Sequence, residues 1–273
     1  RAIHNALVAN AQRTQASLLA WLEAEDIPYR AYYLVNMLLV EVNADLVAAL
    51  QERPEIARLA LNVASPGLET TAKPEPRHLP AGWTVSARAA QSASLPWVLE
   101  FVHAPEVWAL GHTGNGILVA SQDTGVQWDH PALQAQYRGW NSSAMTVTHP
   151  YNWFDAWGAD GMRAARCAGE AATNPQIPCD DNGHGTHTVG TMVGDASNDG
   201  GTILGVAPDA QWIGCRNMTG GVGSPTSYTD CFQFFLAPYP QGGDPMADGA
   251  PSLAPHIINN SWSCPVREGC DDP

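Results

Sequence analysis

Ile117–Gln122 is an unbroken run of apolar and small residues that closes on Asp123-Thr124-Gly125. A short run without polar alternation, ended by a turn signal, reads as a strand buried on both faces. Such strands belong to α/β folds, in which helices cover both sides of a mostly parallel sheet. An acidic residue at the carboxyl end of that strand stands where open α/β sheets place their ligands. Ala210–Cys215 and His256–Asn260 read as further central strands, with Tyr228–Leu236 as a helix between them. Val107–Leu110 reads as a short helix ahead of Gly111, Gly114 and Gly116. Trp140–Cys179 reads as a polar, aromatic-studded surface excursion.

A chain of 273 residues, 45% hydrophobic and only 15% charged, has ample apolar material for a core and is not a disordered or coiled-coil sequence. Its 13 basic against 27 acidic residues give a formal charge of -14, a field that repels phosphate backbones and argues against nucleic acid as a partner. Residues 1–80 carry 7 basic and 9 acidic side chains, net -2, whereas 81–273 carry 6 and 18, net -12, which suggests two units. No apolar run approaches the ~18 residues of a membrane helix, so no membrane is expected as a partner. The six cysteines all fall late and form no C-x-x-C pair, which disfavours zinc and thioredoxin-like chemistry. Their even number, between Gly and Pro residues, suits disulfides made outside the cytoplasm. Pairing of sequence neighbours (Cys167–Cys179, Cys215–Cys231 and Cys264–Cys270) is the expected arrangement, and six free thiols is the alternative.

The front of the chain reads as a compact α/β unit. Gln12–Glu25 spaces Leu18, Leu19 and Leu22 helically, and Pro28 ends that pattern. Tyr29–Val42 is long enough for two strands meeting near Asn36. Asn43 can cap a second helix that shows Leu46, Ala49 and Leu50 on one face and stops at Pro54. Alternation of Leu59, Leu61 and Val63 predicts a closing strand over Arg58–Val63. This order is one strand short of a ferredoxin-like split βαββαβ unit, whose first strand is expected ahead of Arg1. Residues 66–96 hold Pro66, Pro74, Pro76, Pro80 and Pro96 without periodicity and read as a linker.

Asn182-Gly183-His184-Gly185-Thr186-His187 places a histidine between two glycines at an expected helix start. A histidine so exposed can act as a general base if a carboxylate fixes its tautomer, and Asp123 is the candidate carboxylate. Gly190, on the same helix, is expected to allow close packing. His184 and His187 at i, i+3, near Asp180 and Asp181, could suggest a metal site, but the glutamate of His-Glu-x-x-His is missing. His187 is therefore read as structural, no metal ligand is assigned, and Asp180-Asp181-Asn182 reads as a solvated turn.

Asp123-Thr124-Gly125-Val126 followed by His184-Gly185-Thr186-His187 resembles the aspartate and histidine motifs of subtilisin-like serine peptidases, the subtilases, whose triad runs in the order Asp, His, Ser. Gly205-Val206-Ala207-Pro208 matches a further family segment. Ile258 to Ser263 resembles the strand lining the primary specificity pocket, with Ser261, Trp262 and Ser263 at the substrate. Gly221, Val222 and Gly223 resemble the opposing edge on which substrate backbone adds as a β-strand. The resemblance covers roughly residues 97–273 and implies a subtilisin-like sheet with helices on both faces, incomplete in this chain. It also implies that residues 1–65 are a prosegment that assists folding and inhibits the enzyme, with processing inside 66–96.

The resemblance further implies a secreted serine endopeptidase acting on protein or peptide substrates, in which Asp123 and His184 are catalytic. The nucleophile motif Gly-Thr-Ser-x-Ala and the oxyanion asparagine segment are absent, and Ser224, Ser227, Ser252, Ser261 and Ser263 lack a glycine-flanked elbow. The nucleophile is thus expected beyond Pro273, and the chain by itself is expected to be inactive. No cofactor is implied for the chemistry. The family's calcium loop corresponds to Asp195–Thr202, with Asp195, Asn198 and Asp199, although Ala132 replaces the acidic residue that the family carries after His130-Pro131. The rival reading is a non-catalytic binding or inhibitory relic without a nucleophile. The peptidase reading expects a Gly-Thr-Ser-x-Ala segment within about 200 codons downstream of residue 273, a length that keeps the domain at a plausible size; a stop codon without it favours the relic.

Overall fold

A computed structural model describes residues 1–68 and 94–263. The front unit opens with a helix, Ala2–Ala24 (α1), that begins ten residues earlier than its leucine pattern indicates. Ala11, Gln15 and Leu22 form its buried stripe. A hairpin follows, Tyr29–Tyr32 (β1) and Met37–Val40 (β2), paired antiparallel from Tyr29↔Val40 to Tyr32↔Met37. Its turn ends at Asn36, whose φ of 49° is left-handed and whose Oδ1 accepts from Thr14 and Gln15 of α1. A second helix, Ala44–Gln51 (α2), is capped as expected by Asn43, which accepts the Leu46 N–H at 2.8 Å.

The expected closing strand over Arg58–Val63 does not form. Leu59, Leu61 and Val63 are all exposed, because the alternating pattern has no sheet edge to join there. Instead the chain runs on to Ser65–Pro66 (β3), which pairs with the second unit. The front unit therefore carries two helices and a hairpin of the expected order, without the third strand.

The second unit starts with two short helices, Trp97–Phe101 (α3) and Ala104–Ala109 (α4), and then the strand Leu118–Asp123 (β4), every residue of which is buried. Pro131–Gln134 (α5) and the small pair Trp140–Asn141 (β5) and Thr146–Val147 (β6) lead to Trp153–Asp155 (β7). Gly161–Arg166 (α6), His184–Val193 (α7) and Gln211–Arg216 (β8) come next. Met218–Thr219 (β9), Val222–Gly223 (β10), Pro225–Leu236 (α8) and Ile257–Asn260 (β11) complete the described elements. The central sheet has the order β11-β4-β8-β7, and all its pairings are parallel.

Side chains of β4 and β8 alternate between two cores, as the strand period requires. Leu118, Ala120, Ile213 and Cys215 meet Phe234, Phe235 and Cys231 of α8 on one face. Val119 and Trp212 meet Val189 and Val193 of α7, with Leu133 and Tyr137, on the other. Burial on both faces is what the unbroken apolar run encoded.

Two expectations need correction. The Trp140–Cys179 stretch is not merely a surface excursion, since its β7 is fully buried and forms an edge of the described sheet. Gly190 has open space where a Cβ would stand; the close approach belongs to Gly185 instead. Cys167–Cys179 and Cys215–Cys231 are bonded as expected, with Cα separations of 6.1 and 5.6 Å. The Cys264–Cys270 pair lies outside the described residues.

Trp212 is fully buried, packs with its ring tilted against Tyr137 at a centroid distance of 4.6 Å and donates its indole N–H to the Leu133 carbonyl. Trp212→Ala is expected to cost about 3–5 kcal/mol of stability through the cavity left in the core, measured by denaturant unfolding of the chain.

Candidate active site

The end of β4 and the start of α7 interlock through their backbones. A Cβ on Gly185 would stand 2.0 Å from the Gly125 carbonyl oxygen and 3.0 Å from Asp123 Cβ. Gly125, at φ 107°, has the Cys179 carbonyl in the space a side chain would need. Thr124 completes the contact: its hydroxyl donates to Asp180 at 2.8 Å and accepts the Gly185 N–H at 3.1 Å. Asp180 gathers the open N–H groups of the turn and the helix start, from Asn182, Gly183 and Thr186, together with the Thr186 hydroxyl. Unpaired donors at a helix N-terminus favour such a carboxylate.

This interlock brings His184 Nδ1 to 2.7 Å from Asp123 Oδ1. The same oxygen accepts the Thr124 N–H at 2.7 Å, and Thr188 reaches Oδ2 at 3.4 Å. The Asp123 side chain is 1% exposed, whereas His184 is 33% exposed. The hydrogen bond to Asp123 raises the His184 pKa above its usual value, against a lowering by partial burial, and the charges of Asp123 and Asp180 add to the rise. The pair holds a buried carboxylate behind a half-open imidazole: Nδ1 donates to Asp123, which leaves Nε2 as the acceptor of the neutral ring.

The expected substrate-binding residues stand beside this pair. Gly220 and Gly221, both at left-handed φ, make the turn from β9 to β10. β3 of the front unit lies antiparallel on β10, with Pro66 opposite Val222 and Ser65 opposite Gly223. The N–H groups of Gly67 and Leu68 donate to the Gly221 carbonyl at 2.9 and 3.3 Å, and the Ser263 N–H donates to the Gly67 carbonyl at 3.1 Å. Residues 65–68 are thus an added strand between the 221–223 edge and Ser263. A cleft of about 810 Å³ joins His184, Asn182, Gly221, Ser261, Trp262 and Leu68. Trp262 stacks on Tyr228 at 4.2 Å, and the Ser261 hydroxyl is bonded to Asn259.

Other candidate residues have structural partners. Ser224 and Ser227 form the capping box of α8. His187 is exposed. Asp195 Oδ1 accepts the Ser197 N–H, and among the described residues no group of three His, Cys, Asp or Glu side chains could hold a metal ion. The solvated-turn reading of Asp180-Asp181-Asn182 fits the exposed Asn182 but not Asp181, which is buried and ion-paired to Arg216, itself fully buried. An arginine closing an otherwise apolar strand was the available signal, since such a charge demands carboxylates around it. The nearness of Tyr228 to Trp262, about 34 positions apart in sequence, had no local signal.

Residues 114–270 match the model of the peptidase S8 group described as the subtilase family. Bacillopeptidase F of Bacillus subtilis (strain 168) is 31% identical over 268 residues, 96% of this chain and 17% of its own length. Minor extracellular protease Vpr of the same organism is 37% identical over 128 residues, 45% of this chain and 13% of its own. The major intracellular serine protease of that organism is 36% identical over 130 residues, 48% of this chain and 33% of its own. The chain thus spans at most a third of the length of each of these relatives, and its likeness to the first includes the front unit. Among the described residues no helix is long and apolar enough to cross a membrane.

Asp123→Asn is expected to lower the His184 titration midpoint, followed by ring-proton NMR. It removes the anionic acceptor that raises the pKa, so the imidazole loses its proton at a lower pH. Gly185→Ala is expected to destabilise the chain by at least about 2 kcal/mol, measured by thermal unfolding, because backbone rather than a movable side chain blocks the methyl.

Proposed function

The chain belongs to the subtilase family, and from that premise we propose that it is part of a serine endopeptidase whose Asp123 and His184 act in a triad with a serine lying beyond residue 273. The observation that carries this reading is the 2.7 Å bond from His184 Nδ1 to the buried Asp123 carboxylate, at the mouth of a cleft that already holds an extended chain. With Nδ1 engaged, Nε2 takes the proton of the serine hydroxyl as it attacks the scissile carbonyl. His184 then gives that proton to the leaving amine, and water resolves the acyl-enzyme by the same route. Asp123 remains ionised and stabilises the transient imidazolium.

Protein or peptide substrates lie as an added strand between Gly221–Gly223 and Ser261–Ser263. The chemistry requires no cofactor. Without the serine, the 273-residue chain does not turn over peptides. Residues 1–65 act as an intramolecular inhibitor, and residues 66–96 carry the processing region. What supports the inhibitor role is that Ser65–Leu68 uses the backbone groups of Gly221 and Ser263 that a substrate would need. Arg30 also pairs with the buried Asp230 of α8 at 2.9 Å, and Gln233 accepts from Tyr33 and Leu34, so the front unit is docked through side chains as well. Burial drives the Asp230 carboxyl up to about 7, opposed by the Arg30 charge. The two bonded cysteine pairs favour an extracellular site of action.

In the full-length gene product, His184→Ala is expected to reduce peptide hydrolysis by about 10⁴-fold or more and to block self-cleavage. Casein hydrolysis within tenfold of wild type would overturn the triad assignment. Residues 1–68, added to enzyme from which they have been removed, are expected to suppress peptide cleavage, and the same segment trimmed of Ser65–Leu68 to suppress it less.

A further inference from the structure

Arg216 and Asp181 have no part in the chemistry just described, yet both reach the substrate edge. Arg216 closes β8 directly beside Asp123 in the sheet register, and its side chain is fully buried. Its Nε and Nη2 donate to Asp181 Oδ2, and its Nη1 spans both oxygens of Asp155 at 3.0 and 3.2 Å. Nη2 also donates to the Thr219 hydroxyl at 2.9 Å. The second Asp181 oxygen, Oδ1, accepts the Gly220 N–H at 3.0 Å. The ion pair thus grips Thr219 and Gly220, immediately ahead of the Gly221 carbonyl that binds the added strand.

Stability alone is a weak reason for these buried charges, since apolar residues of similar volume commonly hold a fold as well as a buried ion pair does. Directed bonds are what the charges supply, and the Gly220-Gly221 turn, left-handed at both positions, has no side chain of its own to fix it. Position in the chain adds a second reason. Asp180 ties down the start of α7, which carries His184, and its immediate neighbour Asp181 ties down the substrate edge. One dipeptide therefore sets the spacing between the proposed base and the strand that aligns the substrate.

We propose that Asp181 and Arg216 are positioning residues for extended substrates, holding the Gly220–Gly223 edge at the distance from His184 at which an added strand presents its scissile bond. The proposal rests on the peptidase reading and concerns the alignment of substrate rather than the chemical step. Contacts far from the reacting bond are felt in turnover of long substrates and are missing from short ones.

The test uses the full-length gene product and two substrates sharing one cleavage-site residue: a tetrapeptide anilide, which reaches the β10 edge, and a single-residue ester, which does not. The quantity read is the ratio of their kcat/KM values. Asp181→Ala and Arg216→Lys are each expected to lower that ratio about tenfold, the effect of losing one charge-assisted bond. A general loss of folded enzyme lowers both substrates alike and leaves the ratio unchanged. Thr219→Val removes one acceptor without burying a new charge, so it serves if the other variants do not fold, with an expected fall of about threefold. An unchanged ratio in every folded variant overturns the positioning role while leaving the peptidase reading intact. A wild-type protein that cleaves neither substrate overturns both.

Discussion

A carbon atom added at Gly185 would lie 2.0 Å from the Gly125 carbonyl oxygen, so the start of α7 and the end of β4 meet backbone to backbone. The other distances in the cleft follow from that contact. It puts the His184 ring within 2.7 Å of Asp123, and it lets Thr124 bridge to both Gly185 and Asp180. Larger residues at 125 or 185 would push the helix away from the strand by more than a hydrogen bond can stretch. Two glycines that look like loop punctuation are therefore the reason the carboxylate and the imidazole are hydrogen-bonded.

Behind the cleft, charge replaces close approach as the organising force. Arg163 and Arg216 are buried with Asp155 and Asp181, and Asp160 closes the cluster at its partly exposed rim. Burial pushes the Asp155 and Asp181 carboxyls up, while the neighbouring guanidinium groups pull them back down. Such groups are tolerated because most of their hydrogen-bonding positions are used, Arg163 donating to the Asn174 and Ile177 carbonyls as well as to Asp155, although its Nε has no partner among the described residues. The Cys167–Cys179 bond closes the same stretch one residue ahead of Asp180. Polar residues of an insertion are thereby turned inward and connected to both sides of the cleft.

The added strand of residues 65–68 is held largely through main-chain groups. Bonds of that kind do not read side chains, so an extended peptide of different sequence can use the same donors and acceptors. The front unit compensates for this lack of selectivity with contacts remote from the cleft, Arg30 to Asp230 and the Tyr33 backbone to Gln233. Asn62 adds a pair of bonds to Thr226 at the start of α8.

Sequence by itself determined the elements with short-range causes. The unbroken run at 117–122 gave the central strand and Asn43 the second helix cap, because each depends on neighbours a few residues away, whereas Asp123 and His184, 61 positions apart, were joined by family resemblance rather than by a local pattern. Cysteine spacing likewise anticipated both described disulfides. Arg58–Val63 misled because alternation states only that a strand could form, not that an edge is available to receive it. Gly190 misled because a glycine reports permission for close contact, and only packing says which glycine uses it. Tertiary structure alone decided that Asp181 turns inward to Arg216, that β7 joins the sheet, and that residues 65–68 lie in the cleft. Each of those outcomes depends on groups tens to more than a hundred residues apart, whose encounter is set by the layering of helices on the sheet and leaves no local pattern to read.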